Sequence, residues 1–131
     1  MEFDLVTFDA ILYGIMQSNH FQTMAKIGVY DYQRTHDVFQ YYFEKYEKHM
    51  HKPHPHIKRE QISRIARDIP FIKTENGAEN ILPEDYPIMI DLHFVTNYRN
   101  CDYNINHFFS GKIREMRFYE MLAGYRVKGT K

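Results

Sequence analysis

Between Tyr32 and Met50 the apolar and charged residues separate with the period of a helix. Val38, Phe39, Tyr42, Phe43, Tyr46 and Met50 make one stripe, while Asp37, Gln40, Glu44, Lys45, Glu47 and Lys48 fall mainly on the other side. Glu44 and Lys48 are also four apart in the favourable order. An aromatic stripe of this width has to be covered by other elements, so the run predicts the spine of a folded helical body. Directly after it comes His49-Met50-His51-Lys52-Pro53-His54-Pro55-His56. Proline lacks a backbone donor and turns the residue before it away from helical angles, so the spine must end near Met50 and the chain must turn a corner at 49–56.

The remaining periodicity is also mainly helical. Phe8, Ile11, Leu12, Ile15 and Met16 follow one helix face from Thr7, which can cap the first turn, while residues 1–6 suit a short strand equally well. Phe21, Met24 and Ala25 begin a short second run that Gly28 can close. Lys58 to Asp68 places Ile62, Ile65, Ala66 and Ile69 on one side and Glu60, Arg64 and Arg67 on the other, and Pro70 stops it. Asn76-Gly77, between Phe71-Ile72 and Ile81-Leu82, suits a type I′ turn and a small hairpin near 71–82. Ile88 to Tyr98 reads as a helix with Pro87 at its first position, although its short apolar run also fits a buried strand. Tyr103–Phe109 and Lys112–Ala123 read as two further helical pieces around Ser110-Gly111. The last has Ile113, Met116 and Ala123 on one side and Phe118, Met121 and Leu122 on another, which suits a helix covered on both sides. Gly124, Gly129 and Lys131 suggest a frayed tail.

With 131 residues, 44% of them apolar, the chain is long enough for one core and short for two, so we expect a single domain over 1–131. The expected fold is a mainly α helical bundle of five to seven helices with one small β-hairpin. Cys101 is the one cysteine, which excludes an internal disulfide and a multi-cysteine metal centre and suits a reducing, cytoplasmic setting. No uncharged span reaches membrane length and no glycine-rich phosphate loop is present, so neither a membrane nor a nucleotide cofactor is expected.

Net charge is zero, but it hides an alternation: residues 58–73 carry five basic and two acidic side chains, 74–98 none and five, and 99–131 seven and three. Lys58 and Arg59 fall at a helix start, where the dipole disfavours positive charge unless they lie just outside the helix or an anionic partner meets them. The functional expectation is therefore a non-enzymatic accessory or regulatory protein that contacts nucleic acid through basic helices at 58–67 and 112–122. Its candidate contacts are Lys58, Arg59, Arg64, Arg67, Lys112, Arg114 and Arg117. The outline of a helix-turn-helix around Gly111 is weakened by Asn106, Ser110, Lys112 and Arg117 at positions that motif makes apolar, and by bulky His107 where it wants a small residue.

Two alternatives stand beside this reading. A protein-interaction module, such as an inhibitor or adaptor subunit, would use exposed aromatics around the two-sided helix Ile113–Ala123. An enzyme would use Cys101 with His93 or His107 as base and Asp91 or Asp102 to orient it. The four histidines at 49, 51, 54 and 56 are expected to be a solvated corner that titrates freely; they lack the cysteines or the distant second ligand pair of a structural zinc site, and no metal is assigned.

Overall fold

The computed structural model describes residues 4–74 and 77–126. Among the described residues, seven α-helices surround one hydrophobic core, with a single two-stranded antiparallel hairpin. The helices are α1 (Leu5–Met16), α2 (Asn19–Lys26), α3 (Tyr32–Met50), α4 (Arg59–Asp68), α5 (Asp85–Val95), α6 (Ile105–Phe108) and α7 (Gly111–Glu120), the last running on into a π-helical turn at Met121–Arg126. The mainly helical class and the hairpin are as the periodicity predicts. Residues 1–3, Asn76 and the tail glycine Gly129 with Lys131 lie outside the described residues.

α3 is the spine, bounded as expected. Asp31 caps it, its Oδ2 accepting from the backbone N of Arg34 at 2.7 Å, and His51 closes it in the left-handed conformation (φ +59°) with its N–H on the Glu47 carbonyl at 2.8 Å. Replacing Asp31 with Ala orphans one of the first-turn donors and is expected to cost about 1 kcal/mol, read as a lower midpoint in urea at unchanged slope. Val38, Phe39, Tyr42, Phe43 and Tyr46 are all buried. Phe39 packs on Phe8 at 4.9 Å between ring centroids, and Phe8 meets Phe43 edge-on at 5.1 Å, which fastens α1 to the spine. On the other flank α5 packs on α3, and Asp91 takes both the Tyr41 hydroxyl (2.7 Å) and the Lys45 ammonium (3.1 Å).

Several boundaries move for local chemical reasons. α1 begins at Leu5 rather than Thr7, because Asp4 is the stronger cap: its carboxylate accepts from Val6 N at 3.2 Å and from the Thr7 hydroxyl at 2.6 Å. α5 begins at Asp85, two residues before Pro87; a proline in the first turn costs nothing there because the first four N–H groups have no partner within the helix. α6 is shorter than expected, one turn capped by Asn104, whose Oδ1 accepts from Asn106 N. In the hairpin Gly77 is paired with Thr74, at φ +113°, so it follows the loop instead of sitting at its centre.

Candidate functional site

The two basic stretches, far apart in sequence, are neighbours in space. Arg64 on α4 donates from Nη2 to Oδ1 of Asn106 on α6 at 3.1 Å, and Arg114 on α7 donates to the backbone carbonyl of Asp68, the last residue of α4, at 2.6 Å. Side-chain hydrogen bonds therefore tie α4 to α6 and to α7. Lys58, Arg59, Arg64, Arg67 and Lys112 are all exposed. Lys58 is the N-cap of α4, half outside the helix, with its backbone N–H on Gln61 Oε1 at 3.1 Å, and Arg59 is the first helical residue. At the start of α7, Ser110 spends its hydroxyl on the His107 carbonyl (2.8 Å) instead of capping the helix, and no acidic residue stands in the first turn.

Arg114 and Arg117 belong to the interior. They are 6% and 4% exposed and are therefore withdrawn from the seven residues expected at the surface. Arg114 adds a bond to the Tyr86 hydroxyl at 3.2 Å and lies over the Phe109 ring at 5.3 Å, while Tyr86 itself donates to the Ile69 carbonyl. Arg117 donates to Thr96 Oγ1 (2.8 Å) and to the Tyr98 hydroxyl, and grips Glu120 with two nitrogens at 2.8 and 3.1 Å. The signal was present in the spacing: positions 114, 117, 118 and 121 share one face of a helix, and Phe118 and Met121 bury that face. The opposite face, with Met116 and Tyr119, is exposed at 44% and 40%. Phe118 is thus not one of the exposed aromatics that a partner could meet.

Cys101 and His107 do come together, Sγ to Nδ1 at 3.1 Å, and Sγ also accepts from Tyr103 N at 3.1 Å. Burial pushes the thiol up from its ordinary range, so it stays protonated beside the imidazole. His93 packs beside His107 at 5.3 Å between ring centroids and is fully buried. Burial first, and then the charges of His107, Arg117 and His49, push it down to about 3. The Tyr98 hydroxyl accepts from Arg117 and lies 3.0 Å from His93 Nδ1, while His93 Nε2 is buried without a hydrogen bond. Neither aspartate orients a histidine. Asp91 serves Tyr41 and Lys45, and Asp102 accepts from Asn104 N. Among the described residues, neither is the orienting carboxylate that the enzyme reading assigns to the pair.

The histidine corner is not uniformly solvated. His49, His51 and His56 are exposed, but His54 is buried beneath Phe43 and Tyr46, with Tyr46 at 4.6 Å between centroids. Its Nδ1 donates to the Pro55 carbonyl at 2.8 Å and its Nε2 accepts from Ile105 N at 3.0 Å, an arrangement open to the neutral ring alone. Burial holds it down near pKa 4. It is the pin that fixes α6 to the corner. No group of three or more His, Cys, Asp or Glu among the described residues could hold a metal ion, and no helix among them is long and apolar enough to cross a membrane. No protein-family model, curated protein or solved structure matches the chain.

Proposed function

We propose that the protein is a non-enzymatic accessory or regulatory protein that acts in the cytoplasm and grips the phosphate backbone of a nucleic acid with Lys58, Arg59, Arg64, Arg67 and Lys112. The observation that supports this reading is the Arg64–Asn106 contact, which joins one basic residue of α4 to α6, the element that precedes α7. The five acidic side chains of residues 74–98 belong to a separate stretch that carries no basic residue, so the neutral total conceals local charge. Contacts to phosphate supply affinity without sequence preference, and they make it strongly dependent on salt.

The test is fluorescence anisotropy of a labelled 20-base-pair duplex and of a single strand of the same length. Five phosphate contacts give a slope of about −4.5 in log K against log salt on duplex, a loss of roughly 500-fold between 50 and 200 mM. Arg64→Ala is expected to reduce the slope by about 1. A flat salt response, or undiminished binding by a variant carrying Lys58→Glu, Arg59→Glu and Arg64→Glu together, would overturn the assignment.

A second reading rests on Met116 and Tyr119, which sit three apart on the outer face of α7. Aromatic and methionine side chains are favoured in interface centres, so this face would meet a protein partner. Sedimentation at rising concentration, repeated on Tyr119→Glu, separates the two. Self-association lost in the variant favours a second copy of the chain, and a concentration-independent monomer counts against it.

A further inference from the structure

Arg34, near the start of α3, is half-buried, and its charge acts on the Tyr86 hydroxyl. Its Nε is shielded from solvent without a hydrogen bond, and among the described residues no acceptor or carboxylate meets its guanidinium. Because Nε is closed off, an anion in a cavity beside Arg34 would be met end-on by the two Nη groups. Arg34 lines two cavities that share it and Pro83. One, of about 300 Å³, is walled by Ile27, Val29, Phe71 and Leu82, with Asn80 as a second polar side chain; Arg34 is the one charged residue on its wall among the described residues. The other, of about 390 Å³, carries Tyr41 and Tyr86 together with Asp37 and Glu84.

We infer that the apolar cavity beside Arg34 is a binding site for a small organic monoanion, a carboxylate carried on an aromatic or branched apolar body. The guanidinium fork matches a carboxylate with two parallel hydrogen bonds, and the aliphatic and aromatic wall takes the rest of the molecule. The volume suits a small ligand, at the lower end of the range for such sites. A single negative charge is what one arginine can neutralise. The Asp37 and Glu84 carboxylates on the adjoining cavity repel anything more highly charged, which sets this site apart from a phosphate site. Gly28 shapes the mouth: it turns the chain between α2 and α3 at φ +79°, and a side chain built there would meet no atom within 4 Å, so the entrance is open.

The experiment titrates the full chain with phenylacetate, benzoate and 4-methylpentanoate, with 2-phenylethanol as the uncharged match and acetate as the bodiless one. Melting temperature and amide chemical shifts are followed together. At least one of the three acids should raise the melting temperature with the logarithm of its concentration and shift the amides of Gly28, Arg34 and Asn80 to saturation. The alcohol and acetate should bind at least about tenfold more weakly, and Arg34→Gln should lose about tenfold or more in affinity for the acid. Should Arg34→Gln fail to fold, Leu82→Glu, at a rim position that is 47% exposed, should weaken the acid while sparing the alcohol. Equal binding of acid and alcohol, saturating shifts confined to α4 or α7, or no binding by any of the three acids would overturn the site.

Discussion

Acidifying the protein from pH 6.5 to 4.5 should remove about 4 kcal/mol of its stability through two buried histidines alone, a large share of the 5–15 kcal/mol that holds a typical domain together. His54 and His93 are held down to about 4 and about 3, against an ordinary value of 6.5. Because the folded values are depressed, the unfolded chain takes up protons that the folded chain refuses. Their contribution is therefore complete well above pH 6.5 and is lost as the pH falls toward 4 and then 3. Between pH 6 and 5 the unfolded chain carries both protons and the folded chain nearly neither, which gives a slope close to about 2.5 kcal/mol per pH unit. Urea unfolding at half-unit steps of pH measures it. His54→Gln should be less stable at pH 7.5, having lost one or both of the bonds to Pro55 and Ile105, but its slope should fall by about half. A wild-type slope of one proton or less between pH 6 and 5 would mean that one of the two rings is hydrated in solution.

Truncating Tyr42 is the second large effect. Tyr42 is fully buried at the middle of the spine, with Phe94 and Phe108 at 5.0 and 5.6 Å between ring centroids. Its hydroxyl donates to the Tyr103 carbonyl at 2.6 Å and lies 3.3 Å from that of Asn104. Burial drives its phenol well above the ordinary range, so it remains a donor at every accessible pH. Tyr42→Ala removes an aromatic ring at a site walled by other rings and should cost about 4 kcal/mol. Tyr42→Phe keeps the ring and takes the hydroxyl from the Tyr103 carbonyl, while that of Asn104 keeps the His107 N–H, for a cost of about 1 kcal/mol. The two costs should also differ in place. The phenylalanine variant should speed hydrogen exchange first at Ile105, since residues 103–105 are held from one side by Tyr42 and from the other by His54. Uniform acceleration along the chain, with Ile105 unexceptional, would show that the hydroxyl has no local role. The same two pins seat Asn106, and through it Arg64, so they also set the geometry of the proposed basic surface.

The helical architecture was legible in the linear chain because the features that specify it are local. The spacing of Val38, Phe39, Tyr42, Phe43 and Tyr46, the stops at Pro53 and Pro70, and the turn at Gly28 act within a few residues, and each produced the element it predicts. The first helix was misplaced by two residues for an equally local reason, the stronger cap at Asp4. Periodicity also separates the two faces of α7, and Phe118 and Met121 mark the one that turns inward.

What the linear chain determined by itself is where the backbone becomes helix and which face of each helix turns inward. Which polar side chains go inside was decided by the tertiary structure. His54 is buried because Ile105, 51 residues on, offers it an N–H; Arg114 because Asp68 and Tyr86, 46 and 28 residues back, offer it oxygens. A polar group enters a core only with a partner in place, and no window of neighbouring residues contains partners so distant. The same holds for Cys101, whose neighbour His107 was in view, yet whose thiol is kept protonated by the surroundings that bury it. Arg34 gives the converse case: its neighbours in sequence include Asp31 and Asp37, and only the folded chain leaves its guanidinium without either of them.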